Sequence, residues 1–148
     1  MTLEEQLGYF FFDKSHLKRA LTRRTYALEA ENQAGDDQDA YVLLGGAVLD
    51  AVLTELLIRE GHTTQGAIVG KKLDLKQIER LAGISDRLGV GFVVKLGKAE
   101  KERRAYEDPI LLTETLEAVF GAIYFDGGFS AARRVIARLF QDAIAIEE

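Results

Sequence analysis

Two carboxylates in an otherwise apolar stretch are the residues best placed to do chemistry. Glu114 and Glu117 lie three positions apart within residues 112–124, whose other members are mostly apolar. Residues three apart on a helix share one face, and charges in an apolar helix are usually paired, solvated in a cleft or bound to a metal. Two such carboxylates could hold a hard divalent cation, which takes oxygen ligands and keeps water for hydrolysis. The alternative is a solvated acidic stripe.

These carboxylates need a rigid scaffold, and the sequence predicts an all-α fold. The chain has one proline and lacks alternating β-branched runs, so helix start and stop signals dominate the pattern. The pattern predicts a short helix capped by Asp13 and a long buried helix over residues 39–59, ended by Gly61. Asp108 before Pro109 opens a further helix, which stops at residues 126–128. The last helix covers residues 130–145, and its inward face is Val135, Ile136, Leu139, Phe140 and Ile144.

Three connecting segments are also predicted. Residues 33–37 form a polar loop before the long helix. Asp74 and Gln77 resemble a capping box for a helix that ends at Gly83. Residues 95–104 are strongly charged, which favours a mobile surface segment.

The composition of the chain excludes several classes of function. The chain has 148 residues, 47% of them hydrophobic, and no cysteine, which excludes disulfides and Cys-ligated metal sites. A chain of this size buries enough surface for one core. Its net charge of −5 argues against a generic nucleic-acid binder. The apolar stretch over residues 41–58 is predicted to be too short and too polar to span a bilayer, so we expect a cytoplasmic protein with no membrane partner.

Four segments in register resemble the ribonuclease III family. Residues 112–128, LTETLEAVFGAIYFDGG, resemble its second acidic motif, and residues 44–50, LGGAVLD, resemble a modified copy of its signature helix. Residues 7–15 and 20–26 resemble its amino-terminal helices. The resemblance covers residues 3–140 and implies an endonuclease-domain-like helical bundle that dimerises through the signature helix and cleaves double-stranded RNA with Mg²⁺ or Mn²⁺. We expect residues 1–148 to be a single domain of this kind, without a separate double-stranded RNA-binding domain.

The departures from the family pattern fall at its metal site. The resemblance assigns Asp39, Glu114 and Glu117 to the residual catalytic site, with Glu114 and Glu117 as the metal ligands. Three other positions, which are acidic in the family, are Val42, Gly46 and Gln65 here. Two of four expected close ligands therefore remain, and two carboxylates would bind a hard cation weakly and position its water poorly. We expect the family's cleavage to be impaired or lost.

Four basic residues are candidate RNA contacts: Arg23, Arg24, Lys71 and Lys72. Lysine and arginine supply the sequence-independent part of RNA affinity, and a solvated surface is the alternative.

Three functions stay open at this point. The first is a homodimer that binds or processes double-stranded RNA with little or no cleavage. The second is an active, divalent-metal-dependent endoribonuclease with a rearranged carboxylate site. The third is a non-catalytic structural or regulatory subunit of a ribonucleoprotein or of an active paralogue.

Overall fold

Helices carry most of the chain, which confirms the predicted all-α class. The computed structural model describes residues 1–31 and 35–145. Within these ranges there is no β-strand, only an isolated bridge between Thr22 and Lys95. The helices are α1 (Leu3–Leu7), α2 (Lys14–Ala20), α3 (Arg24–Glu29), α4 (Asp39–Arg59), α5 (Gln65–Leu75), α6 (Ile78–Arg87), α7 (Val90–Val93), α8 (Lys98–Glu102) and α9 (Pro109–Ala145), with a 3-10 turn at Ala105–Glu107 before α9.

The predicted helix starts are confirmed where a side chain caps the first turn. The Asp13 carboxylate accepts a hydrogen bond from the backbone N–H of Ser15 at the start of α2. Asp108 accepts one from the N–H of Ile110, and Pro109 opens α9, where its missing N–H costs nothing. These caps satisfy backbone donors that have no partner inside the helix.

Helices α4 and α9 form the centre of the bundle and touch at two glycines. Their contact is the most extensive between any two elements of the described chain. A Cβ on Gly45 would lie 1.6 Å from the backbone oxygen of Glu117, and a Cβ on Gly121 would lie 2.5 Å from that of Tyr41. No larger residue fits at either point unless the helices separate. This crossing brings Gly46, the next residue on α4, beside the Glu117 side chain.

Helix α9 is interrupted at Gly128, within the predicted stop at residues 126–128. Gly128 has φ 84° and ψ 179°, a conformation that residues with a side chain rarely adopt. Just before the interruption, the Asp126 carboxylate accepts hydrogen bonds from the Tyr9 hydroxyl (2.6 Å) and from the N–H groups of Phe12 and Asp13 (2.8 Å each). The end of the first half of α9 therefore fixes the chain between α1 and α2.

The predicted capping box at Asp74 and Gln77 is wrong. Asp74 lies inside α5, and Gln77 precedes α6 without making a side-chain cap. Gly83 lies inside α6, which ends at Arg87. The burial of Leu75 explains the difference, because α5 continues past Asp74 and places the Leu75 side chain in the core.

The charged segment over residues 95–104 also differs from its prediction. It contains α8, and its Glu100 is buried at 7% exposure, so it is not simply a solvated surface. Of the predicted loop over residues 33–37, positions 33 and 34 lie outside the described residues, and positions 35–37 are non-helical as expected.

Helix α4 contradicts the expectation that the apolar stretch over residues 41–58 is too short and too polar to span a bilayer. By length and composition it could cross a bilayer, with 21 residues and a mean hydropathy of 1.9 over its most apolar window. Core helices of globular proteins meet the same criterion, and α4 buries residues such as Val52, Leu53 and Leu57 in the bundle.

Candidate functional site

Glu117 lies at the α4–α9 crossing, opposite a residue with no side chain. A Cβ on Gly46 would be 3.2 Å from Oε2 of Glu117, so Gly46 faces the carboxylate directly. Glu117 is half-buried, and no group among the described residues donates a hydrogen bond to it. Burial raises the pKa of Glu117, the nearby Lys76 charge opposes this, and Glu114 adds to it. The site therefore holds a carboxylate that is poorly compensated in its charged form.

The other residues assigned to the site do not complete a ligand set around Glu117. Val42 lies one turn before Gly46 on α4 and packs against the core. Asp39 is 71% exposed and pairs with Arg24 at 3.7 Å. Gln65 is the exposed first residue of α5. No contact recorded in the described chain joins Asp39 or Gln65 to Glu117.

Glu114 is held by an arginine. Nη1 of Arg23 donates to Oε1 of Glu114 at 3.0 Å and to Oε1 of Gln38 at 3.0 Å. Nε and Nη2 of Arg23 donate to Oε2 of Glu100 at 3.3 and 3.1 Å. The guanidinium thus joins two carboxylates and one amide. Its side chain is only 21% exposed, so the predicted RNA contact at Arg23 has an internal competitor.

Glu100 is the buried acid of this cluster. Burial raises its pKa, but hydrogen bonds from Thr25 and Arg23 outweigh burial, so the pKa of Glu100 lies below its ordinary value. Thr25 Oγ1 donates at 2.5 Å to the oxygen that Arg23 leaves free. Glu100 is therefore ionised and fully paired at neutral pH.

Sequence reasoning missed Glu100 and Gln38, and it did not place Lys76 near Glu117. Glu100 lies in a charged run and Gln38 directly follows the predicted polar loop, and neither has a spacing signal that separates it from its solvated neighbours. Lys76 contributes charge near Glu117 and pairs with Asp50 at 3.1 Å. The burial of Glu100 depends on the elements that cover it, and only the tertiary structure places those elements.

The lysines predicted to contact RNA are engaged within the chain. Lys72 pairs with Asp50 at 3.1 Å and is 17% exposed. Lys71 approaches Asp74 at 3.9 Å. Of the four predicted contacts, Arg24 is the most open, at 66% exposure. An RNA contact at these positions stays a prediction.

A divalent cation is a poor fit to these residues. Mg²⁺ requires near-octahedral oxygen ligation, usually from carboxylates and water. One oxygen of Glu114 is bound to Arg23, and Glu117 faces Gly46 where a second donor would be needed. The described ranges contain no group of three or more His, Cys, Asp or Glu side chains able to hold a metal.

The sequence profile of a family described as Ribonuclease-III-like matches residues 13–143. The chain is 34% identical to Ribonuclease 3 of Bordetella pertussis over 145 residues, which is 97% of this chain and 54% of that protein. It is 35% identical to Ribonuclease 3 of Heliobacterium modesticaldum over 144 residues, 97% of this chain and 61% of that protein. A structure of the nuclease domain of ribonuclease III from Campylobacter jejuni superposes with a TM-score of 0.86 at 30% identity, covering 95% of this chain and 94% of that one. The chain spans little more than half the length of these curated relatives.

Proposed function

Since the chain belongs to the ribonuclease III family, we propose that it binds double-stranded RNA in RNA processing and has lost metal-dependent phosphodiester cleavage. The observation that carries this proposal is that Gly46 faces Glu117, since a Cβ on Gly46 would lie 3.2 Å from its Oε2. Glu117 is the acid that matches the family's second motif, and the residue opposite it has no side chain. Val42, one turn earlier, is apolar. The signature helix therefore offers no carboxylate to share a cation with Glu117.

The loss of cleavage follows from charge and geometry. Hydrolysis needs a water molecule held in line with the scissile phosphate, and poor positioning of the attacking group lowers the rate steeply. A half-buried carboxylate whose pKa is raised by burial is a weak ligand on its own. Arg23 further occupies Glu114, the second remaining acid.

Binding of duplex RNA does not require these ligands. Proteins recognise A-form RNA mainly by its shape, its 2′-hydroxyls and its phosphates, and basic side chains supply the electrostatic part. Arg24 is the most exposed of the four candidate RNA contacts, and it pairs with Asp39. Membership of the family supports double-stranded RNA as the ligand.

The proposal includes a homodimer formed through α4. One face of α4 leaves an apolar stripe exposed, with Leu43 at 80% exposure and Ala40, Ala47 and Ala51 along the same side. Phe125 on α9 is also 60% exposed and stacks on Tyr41 of α4, with ring centroids 5.3 Å apart. The description of the nuclease-domain structure from Campylobacter jejuni names a region involved in dimer formation. An exposed apolar stripe of this kind is typical of an interface.

The test combines binding and cleavage in one set of reactions. Wild-type protein is mixed with a long, end-labelled RNA duplex in EDTA, Mg²⁺ or Mn²⁺, and each sample is split between a native gel and a denaturing gel. Duplex DNA and single-stranded RNA of the same sequence are the binding controls. Glu117→Gln is the matched control for any cleavage observed.

We expect a shift of the RNA duplex on the native gel and intact strands on the denaturing gel under every metal condition. Divalent-dependent scission that Glu117→Gln abolishes would contradict the loss of cleavage and favour a rearranged active site. Equal affinity for duplex RNA and duplex DNA, or no binding at all, would contradict the assigned substrate class.

A further inference from the structure

We propose that Arg23 is a resident cation, which takes the electrostatic place of a divalent metal and keeps this acidic site assembled without one. The inference concerns the site named under the proposed function and rests on that assignment. It gives this chain's own residues a role that explains how the acids persist after their metal ligation has been lost.

The guanidinium uses all three of its nitrogens on the cluster. Nη1 reaches Glu114 and Gln38, both at 3.0 Å, while Nε and Nη2 reach the same oxygen of Glu100 at 3.3 and 3.1 Å. Arginine suits this position because its donors are planar and fixed in a fork, whereas lysine offers a single point charge. One side chain thus bridges carboxylates from two separate elements, α8 and α9.

The partners of Arg23 are themselves fixed. Nε2 of Gln38 donates to the backbone oxygen of Ala20 at 2.8 Å and to Oγ1 of Thr115 at 3.3 Å, which turns the Gln38 oxygen towards Arg23. The second oxygen of Glu100 accepts from Thr25 at 2.5 Å. Gln38 and Glu100 are both buried. The network is therefore built to hold a cation of fixed shape.

The cluster also ties together the elements that surround the site. Arg23 immediately precedes α3, Gln38 immediately precedes α4, and Glu100 and Glu114 lie on α8 and α9. A metal ion at an acidic site performs the same task by cancelling repulsion between carboxylates from different elements. Here the cancelling charge is covalently part of the chain.

A free divalent cation would meet positive charge at both remaining acids. At Glu114 it would have to approach the Arg23 guanidinium, which already contacts Oε1 at 3.0 Å. At Glu117 it would meet the field of Lys76. Removing Arg23 would leave Glu100 and Glu114 with uncompensated charge, and an external cation could then relieve it.

The experiment measures stability and metal affinity, with no RNA present. Wild type, Arg23→Met, Arg23→Lys and the control Arg24→Met are unfolded thermally in EDTA and in millimolar Mg²⁺, and Mn²⁺ binding is titrated by electron paramagnetic resonance. Arg24 is the matched control because it is adjacent, carries the same charge and is 66% exposed.

We expect the Tm of wild type and of Arg24→Met to be the same in EDTA and Mg²⁺. Arg23→Met should lower the Tm by about 5–10 °C in EDTA, because it breaks a largely buried ion pair in a chain of this length. Mg²⁺ should restore part of that loss, and Mn²⁺ affinity should rise at least about tenfold over wild type, the change that 1.4 kcal/mol of relieved repulsion would give. Arg23→Lys should lose less stability and gain no Mn²⁺ affinity, and it remains informative if Arg23→Met does not fold in EDTA.

Three results would overturn the inference. The first is a wild-type Tm that rises in Mg²⁺, since the site would then be open to metal. The second is an Arg23→Met variant that is as stable as wild type. The third is a destabilised Arg23→Met variant whose Tm does not rise in Mg²⁺ and whose Mn²⁺ affinity does not increase. If Arg23→Met does not fold in EDTA, an Arg23→Lys variant that gains Mn²⁺ affinity is the third result instead. Because RNA is absent, any of these leaves the proposed function untouched if duplex binding without cleavage is still observed.

Discussion

Gly45→Ala is the sharpest test of how α4 and α9 position the candidate site. The added Cβ would lie 1.6 Å from the backbone oxygen of Glu117, 2.5 Å from its carbonyl carbon and 2.9 Å from the backbone nitrogen of Gly121. Real Cβ atoms essentially never approach another heavy atom within 3.0 Å. All three obstacles are backbone atoms, so no side-chain rotation can relieve the clash and the helices themselves have to move apart.

The magnitude follows from that geometry. Overpacking a core commonly costs about 1–3 kcal/mol and occasionally more, and a clash with backbone belongs to the upper end. Replacing glycine by alanine inside a helix returns up to about 1 kcal/mol through conformational entropy. We therefore expect Gly45→Ala to lower the free energy of unfolding by about 3 kcal/mol, and the Tm by about 6–12 °C for a chain of this length.

Two other helical glycines, Gly70 and Gly46, provide controls. Gly70 lies in α5 with nothing within 4 Å of its added Cβ, so Gly70→Ala should raise stability by about 0.5–1 kcal/mol. Gly46→Ala meets only the end of the Glu117 side chain at 3.2 Å, which can move, so its effect should be small. Urea unfolding followed by circular dichroism measures all three variants. A Gly45→Ala variant as stable as wild type, or a Gly70→Ala variant that loses as much, would refute the packing argument.

Three further predictions concern the carboxylate site and the dimer. Val42→Glu combined with Gly46→Asp should create Mg²⁺ affinity in the millimolar range, since Gly46 faces Glu117; an unchanged calorimetric titration of the folded double variant would mean that α4 is assigned in the wrong register. Glu117→Gln should stabilise the protein at pH 7 by less than about 1 kcal/mol, because the group is half-exposed and screened, and should make no difference near pH 4. The sign follows because burial raises the folded pKa of Glu117 above 4.5, so the stability that it contributes is complete below that pH and is lost as pH rises through the folded value; a variant less stable than wild type at pH 7 would contradict it. Leu43→Glu should weaken a homodimer at least about tenfold, as expected from burying a charge in an apolar interface, with Leu73→Glu, at 69% exposure on α5, as the control in analytical ultracentrifugation; equal dissociation by both variants would place the interface elsewhere.

Much of the fold could be predicted because its signals are local. The bounds of α4 at residues 39 and 59 agree with the apolar pattern, and the starts of α2 and α9 follow from single capping residues, Asp13 and Asp108. The interruption of α9 follows from a glycine that adopts positive φ. Where the prediction failed, at Asp74, a buried leucine one residue later outweighed the local capping pattern.

The candidate site, like the fold, could be predicted from the sequence only in part. Glu114 and Glu117 were found from their spacing, and the resemblance to the family drew attention to Gly46. The pairing of Arg23 with Glu114, Gln38 and Glu100 was not predicted, because these residues come from separate parts of the chain. Their contact depends on how α3, α8 and α9 pack, and no periodicity in the sequence encodes that packing.

The excess of acids in the sequence, 24 against 19 basic residues, gave little guidance about the role of each acid. By itself the sequence determined the helical class and the family, and the resemblance predicted that Val42 and Gly46 stand where the family has acids, because residue identity and helical spacing are local properties. Only the tertiary structure decided that Gly45 lets α4 and α9 approach, that Gly46 faces Glu117 and that Arg23 holds Glu114 and Glu100. The physical reason is that burial and ion pairing depend on distances between residues far apart in the chain, and folding alone sets those distances.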